Sequence, residues 1–352
     1  MSRRALLILV VTSVVLLGGC LEALPSEYSA DGSAEPSVVD ELEGDDVLEI
    51  HHLDVGQGDA TVVLAPNGET MVIDSGDWHD DGEQVLSFLE DRGIDRVDHL
   101  VSTHGHSDHI GGHATIIEHV ETKGDGVGAV YDSGVAHTSE TYDGYLDAIE
   151  THDVSLKQVQ SGDTFDLGAV EARILNPPAD STSDDIDANG VVLRLDHGDV
   201  SYLTTGDAGA DAESRLAETQ GNALDVDIYQ AGHHGSSTSS TPAFLDAVDP
   251  SMTVISSAQD SQYGHPHDEV LQSFADRDVE TYWTGVHDDV LVATDGESIA
   301  VDTASDGPTE ATALRDEKPA DSESRLPPPA TVSPGALVVG ILPLTARTVR
   351  YP

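Results

Sequence analysis

Four side chains able to bind a metal ion fall within six residues of the stretch Thr103-His104-Gly105-His106-Ser107-Asp108-His109-Ile110-Gly111-Gly112. Imidazole and carboxylate at such close spacing suit zinc, manganese or iron, and one such set paired with another can hold two ions. The stretch follows residues 97–102, an apolar run that reads as a buried strand. Its Gly-Gly pair leads into residues 114–120, which read as a helix. The cluster therefore sits in a loop after a strand, where α/β folds usually place their chemistry. A histidine-rich surface loop that binds nothing is the competing account, and the H-x-H-x-D-H spacing weighs against it. A second concentration, Gly232-His233-His234-Gly235-Ser236, follows another strand-like run at residues 226–231.

The elements that must position these residues can be read in outline. Residues 47–55 alternate loosely and read as a strand, Gly56-Gln57-Gly58 as a tight turn, and residues 60–64 as the next strand. Asn67-Gly68 then marks a hairpin into residues 70–74. Asp54 and Asp59 bracket the glycine turn, where hydrogen bonding within the turn is as good a role as chemistry. Residues 83–92 carry Val85, Leu86, Phe88 and Leu89 at helical spacing and stop at Gly93. Residues 154–175 read as short strands, 180–187 as an acidic loop, and 191–195 and 200–205 as strands. Residues 210–219 read as a helix. His113, His119, His137 and His152 fall in a helix and in loops, and read as structural or surface histidines.

The order of short motifs narrows the reading. His104-x-His106-x-Asp108-His109 resembles the signature of the metallo-β-lactamase fold superfamily. Leu53-Asp54-Val55-Gly56-Gln57-Gly58-Asp59, Asp74-Ser75-Gly76, Thr205-Gly206-Asp207 and His233-His234-Gly235-Ser236 occur around it in order. Together they are similar to the soluble hydrolase domain of the ComEC-type competence proteins, over about residues 48–302, here in a stand-alone, haloarchaeal-like lipoprotein. The resemblance implies an α/β fold, an αββα sandwich of the metallo-β-lactamase type, and two divalent metal ions, Zn or Mn. By the same resemblance His104 and His106 hold the first ion, and Asp108, His109 and His233 or His234 the second. Asp207 bridges them, and Asp74, with Asp59, orients the ligands from behind. A lone Gly-Asp also suits the N-terminus of the following helix, but order and spacing favour the bridge. Many superfamily hydrolases carry a further histidine near residue 189. This chain has Asn189, expected to touch solvent or substrate while solvent completes the first ion. Asp108 is expected to help hold or deprotonate the attacking water. Whichever of His233 and His234 does not bind metal would reach substrate, as would His265 in Tyr263-Gly264-His265-Pro266.

Composition bounds the setting. Fifteen Lys and Arg face 66 Asp and Glu, a net charge of −51, and aromatic residues make up 4% of the chain. Self-repulsion at that charge opposes a compact state in dilute buffer, and salt that shortens the Debye length relieves it. The expectation is a protein of hypersaline surroundings. Few Lys and Arg also argue against a broad electrostatic surface for DNA, although in molar salt that contribution is small anyway.

Residues 1–20 read as a Tat-like lipoprotein signal. Arg3-Arg4 precedes a short apolar core that ends at Leu17-Gly18-Gly19-Cys20, with Cys20, the only cysteine, as the lipid-bearing residue. Residues 21–46 read as a disordered tether, 47–302 as the hydrolase domain, and 303–352 as an acidic, Pro-rich tail. The expected function is a two-metal hydrolase on the extracellular face of the cell membrane, acting on nucleic acid or another phosphodiester. Competing accounts are an esterase for cell-surface phosphodiesters and a non-catalytic surface binding module that keeps metal for structure.

Overall fold

The structure, a computed structural model, describes residue 42, residues 46–181 and residues 183–319. The twin arginine, Cys20, most of the expected tether and residues 320–352 lie outside the described residues.

β1 (Leu48–His52), β2 (Thr61–Leu64) and β3 (Thr70–Ile73) form an antiparallel meander. Asn67-Gly68, with Gly68 at φ +86°, closes the second hairpin. α1 (Glu83–Asp91) leads to β4 (Arg96–Val101), parallel to β3. α2 (His113–Lys123), β5 (Gly126–Asp132), α3 (Glu140–His152) and β6 (Leu156–Gln158) extend that parallel run.

The chain then crosses to a second sheet, where β7 (Thr164–Leu167), β8 (Val170–Asn176), β9 (Val192–His197) and β10 (Val200–Thr204) run antiparallel. α4 (Ala210–Thr219), β11 (Ile228–Gln230), α5 (Pro242–Val248), β12 (Met252–Ile255), α6 (Asp268–Ala275) and β13 (Glu280–Trp283) follow, with β10 to β13 parallel. After the short α7 (Thr284–His287), β14 (Val290–Thr294) and β15 (Ile299–Thr303) return to the first sheet beside β1. The strand orders are β15-β14-β1-β2-β3-β4-β5-β6 and β13-β12-β11-β10-β9-β8-β7.

Period-two alternation explains why both sheets are buried on both faces. Met71 and Ile73 of β3 point between the sheets, where they meet Leu193 and Leu195 of β9, Tyr202 of β10 and Val254 of β12. The residue between them, Val72, points the other way, onto Val85 and Leu89 of α1 and Ile116 of α2. In the second sheet Leu203 and Ile255 face Leu216 of α4, Phe244 of α5 and Phe274 of α6. Three apolar layers between four layers of structure make an αββα sandwich, with each buried Leu, Ile or Phe contributing roughly 1.5–3 kcal/mol.

Several elements differ from the sequence reading. The sequence reading marks none of β13, β14 and β15, which follow β12 in the core. His152 closes α3 instead of lying in a loop. Residues 311–318, read as part of the tail, lie against the second sheet's helices. Leu314 is fully buried there, Arg315 donates to the Asp268 carbonyl at 2.8 Å, and Lys318 donates to the Pro266 carbonyl at 3.0 Å.

His52, on β1, is wholly buried among apolar strands. Its Nδ1 lies 3.2 Å from Thr61 Oγ1, and its Nε2 has no hydrogen-bond partner. Burial, with a smaller push from His51, moves its pKa from 6.5 down to about 3. The unfolded chain therefore takes up a proton that the native state refuses, and stability is lost as pH falls from 6.5 towards 3. At pH 5 the loss is about 2 kcal/mol. Denaturant unfolding in molar KCl at pH 7.5 and pH 5 should show wild type losing about 2 kcal/mol more than His52→Gln.

Candidate metal centre

The loop after β4 is fastened before any metal is considered. Asp74, at the end of β3 in the left-handed region (φ 56°), accepts from Thr103 N at 2.8 Å and Thr103 Oγ1 at 2.6 Å. It also pairs with His109 Nδ1 at 2.7 Å. The carbonyl of His109 accepts from Ser75 N at 2.6 Å, that of Asp108 from Asp59 N at 3.1 Å, and Gly111 N donates to Gly76 O at 2.9 Å. Gly111 is required by this contact: a Cβ there would stand 2.3 Å from Asp77 C and Trp78 N. Because Asp74 takes the Nδ1 side of His109, Nε2 is left facing Asp207 Oδ1, 3.1 Å away.

The second sheet supplies the other half. Asp207 follows β10 through Gly206, at φ +50°, whose Cβ would come within 2.9 Å of Thr103 Cβ. His233 and His234 follow β11, both in the left-handed region (φ 53° and 56°), a conformation that costs energy for non-glycine residues. This backbone sends the two rings in different directions. His234 is buried, with Nδ1 3.1 Å from Ser256 O, and Nε2 3.5 Å from Asp108 Oδ2 and 3.8 Å from Asp207 Oδ1. His233 is about a third exposed; its Nδ1 meets Thr238 Oγ1 at 3.0 Å and its Nε2 lies 3.4 Å from Asp207 Oδ2. Of the two histidines, His234 lies inside the cluster and His233 at its rim.

His104 and His106 meet edge to edge, Nε2 to Nδ1 at 3.0 Å, and His104 Nε2 is 3.8 Å from Asp207 Oδ2. Donor atoms of His104, His106 and Asp207 fall within 4.8 Å of one another, as do those of Asp59, His109, Asp207 and His234. Asp207 belongs to both sets. Asp59 is 3.8 Å from Nδ1 of both His109 and His234, and is held by Gln230 Nε2 at 3.1 Å. Gln230 in turn accepts from Tyr202 Oη at 2.5 Å.

Three buried atoms that converge here, His109 Nε2, His234 Nε2 and Asp207 Oδ1, have no hydrogen-bond partner. Unpaired buried polar atoms are costly, and a cation between them would satisfy all three at once. The ionisation pattern agrees. Burial opposes charge on His109, but Asp207 and Asp74 overcome it and hold its pKa well above the usual value. Burial likewise opposes charge on His234, and Asp207 and Asp59 push it up to about 9. Burial, with His109 second, holds His104 well below the ordinary value. Protons on His109 and His234 balance the carboxylates in the absence of metal, and metal binding would displace them. The nitrogen and oxygen donors fit two divalent cations.

One expected contact falls elsewhere. The side chain of Asn189 is consumed by its own loop: Oδ1 accepts from Ser181 Oγ at 2.5 Å, and Nδ2 donates to Asp185 O at 2.7 Å. It lines a neighbouring cleft with Ser133, Pro177 and Asp184, not the histidine cluster. Asp187, from the same loop, approaches His106 Nδ1 to 3.3 Å instead. His265 is buried beside the cluster, its ring 6.2 Å from that of His234 and its Nδ1 3.4 Å from Gln57 Nε2. Burial, then His234, lowers its pKa to about 3, so it is neutral. Asp54 serves the turn, accepting from Gly56 N at 3.1 Å. His113 is buried and pairs with Ser75 Oγ at 2.6 Å. Thr103, Gln230, Tyr202 and Ser256 carry no motif signal of their own. Only Thr103, flanking the histidine stretch, stood where spacing could draw attention to it.

A family model of the metallo-beta-lactamase superfamily matches residues 53–257, more than half of the chain, and the chain belongs to that superfamily. Within it, the chain is similar to ComE operon protein 3 of Bacillus subtilis (strain 168), 30% identical over 241 residues that cover 64% of this chain and 30% of that protein. It is also similar to Recombination protein 2 of Haemophilus influenzae, 30% identical over 64% of this chain and 26% of that protein. A third relative is Competence protein ComA of Neisseria gonorrhoeae, 31% identical over 62% and 28%. The chain thus matches less than a third of the length of these relatives.

Asp74→Asn keeps the size of the side chain but removes the carboxylate that fixes the His109 tautomer. Equilibrium dialysis against zinc should show affinity reduced by about 10–100-fold with the fold intact by circular dichroism.

Proposed function

We propose that the protein is a two-metal phosphodiesterase that degrades DNA at the outer face of the cell membrane, exported by a Tat-type signal and held by lipid on Cys20. The observation that carries the catalytic part is the single buried carboxylate of Asp207 shared by two sets of donor atoms, one of which holds the unsatisfied nitrogens of His109 and His234. Similarity to competence proteins supports DNA as the substrate class.

When bound, two divalent cations, Zn or Mn, supply Lewis acidity and a nucleophile at neutral pH. Asp207 and His109 fix the distance between the two sets, and Asp108, 3.5 Å from His234 Nε2, is placed to orient a water and receive its proton. His233, open to solvent on one side, is placed to donate to a phosphoryl or leaving-group oxygen. His265, neutral and next to both His233 and His234, is a second donor for the same oxygens.

Binding must work without many cationic side chains. Among the described residues no carboxylate of the site pairs with Lys or Arg; the partners of Asp59, Asp74, Asp108, Asp187 and Asp207 in ion pairs are histidines. Tyr263 is 54% exposed and stacks on His265 at 5.6 Å, which offers a face for an unpaired base. Stacking on an aromatic ring is worth about 1–3 kcal/mol per base and does not depend on phosphate attraction. Single-stranded DNA in high salt suits such a site.

The test is hydrolysis of single-stranded DNA and bis-p-nitrophenyl phosphate in molar KCl with added Mn or Zn. Asp207→Asn and His234→Ala should both fall to the metal-free background. Tyr263→Ala should raise KM for single-stranded DNA by about tenfold, with kcat little changed. Turnover of the small diester without DNA cleavage would move the substrate to cell-surface phosphodiesters. Bound metal with no turnover of either would sink the hydrolase and leave a metal-containing binding module.

A further inference from the structure

The first cation set is short of a ligand by sequence, since no histidine stands near residue 189. We propose that Asp187 is that ligand, and that the first cation is held by His104, His106, Asp187 and Asp207. The inference rests on the two-metal reading of the site and adds to it a residue that no motif marks.

The distances carry it. A cation with ligands at about 2.1 Å in tetrahedral array requires donor atoms about 3.3–3.4 Å apart. His104 Nε2 and His106 Nδ1 are 3.0 Å apart, and Asp187 Oδ1 is 3.3 Å from His106 Nδ1 and 3.7 Å from His104 Nε2. Asp207 Oδ2 is 3.8 Å from His104 Nε2. These edges scatter around the length that a shared ion needs. Asp187 Oδ1 is also buried without a hydrogen-bond partner, although the residue is partly exposed. Carboxylate oxygens on surface loops ordinarily find water or a backbone N–H, so an orphaned one turned towards two imidazoles points to a missing charge.

The loop is built to hold this orientation. Asn189 Nδ2 clasps the Asp185 carbonyl, and Asp185 Oδ1 accepts from Ala188 N at 3.0 Å. The Ala188 carbonyl, next to Asp187, accepts from Arg215 Nη2 of α4 at 2.6 Å and Asn176 Nδ2 at 3.2 Å. Gly190 N closes back on Asp187 O at 3.2 Å. Asn189 is thus a positioning residue for its neighbour, two places before it. The resulting donor set has two imidazoles and two carboxylates. Trading an imidazole for a second carboxylate makes the set harder and more anionic, which shifts preference towards Mn relative to a three-histidine set.

The experiment counts metal. The full chain in molar KCl is titrated with Zn and, separately, Mn, and bound ion is measured by plasma mass spectrometry after dialysis, with circular dichroism as the folding control. Wild type should hold two equivalents. Asp187→Ala should keep one, with the second weakened on the order of tenfold or more. Asp187→His should restore two equivalents of Zn and lower the affinity for Mn. Two equivalents bound to Asp187→Ala with unchanged affinity would overturn the assignment, as would fewer than two in wild type. The count is read without turnover, so a chain that binds two ions and cleaves no phosphodiester would refute the hydrolase and leave the Asp187 result standing.

Discussion

A carboxylate buried at the seam of two sheets, with one oxygen that no hydrogen bond satisfies, is the constraint around which this protein is arranged. Asp207 is 4% exposed, and Oδ1 sees only imidazole nitrogens. Such a group is unfavourable in isolation, because desolvating a charge costs several kcal/mol even after relaxation. It persists because each sheet brings part of the remedy. The first contributes His104, His106, Asp108 and His109 on one loop, and the second contributes His234 beside Asp207 itself. Neither sheet alone assembles a site. The interior core that joins them, from Met71 and Ile73 to Leu193 and Tyr202, therefore does more than stabilise the fold: it holds the two halves of the ligand set in register.

How much of this was legible depends on whether the signal was local. The histidine stretch, Asp207 and the His233-His234 pair are short motifs with unusual composition, and they are recognisable without knowing the fold. The helix at 210–219 and the opening meander also follow from local pattern. Asp187 is different. It is one of several acidic residues between 180 and 187, and only the closure of the loop by Asn189 and Arg215 separates it from Asp184 and Asp185. The same closure takes Asn189 out of the cluster, since an amide with its acceptor and donors occupied has nothing left to offer. β14 went unread because it pairs with β1, more than two hundred residues earlier in the chain, and pairing at that separation leaves no trace in local periodicity; β15 in turn pairs with β14.

The choice between His233 and His234 shows the same limit. Adjacent identical residues cannot be distinguished by type or spacing, and their separation arises from two successive left-handed backbone conformations. Strain at that turn is tolerated where surrounding contacts over-determine it. Here Ser256 O takes the Nδ1 side of one ring and Thr238 Oγ1 that of the other. The acidic composition fits this picture of a site completed by ions from outside. A chain with net charge −51 attracts cations from its surroundings, and the interior cluster is a place where donor atoms able to hold them converge.

Gly206 draws the backbone of the second sheet almost onto Thr103, the residue that precedes His104. At that point the two halves of the molecule touch like the jaws of a caliper, with a hydrogen atom where any other residue would insert a methyl group. The gap between the two donor sets is therefore gauged by the main chain at Gly206 against the short, fixed side chain of Thr103. A methyl group at 206 would open the jaws by a fraction of an ångström, and every distance from Asp207 to the histidines opposite would lengthen together.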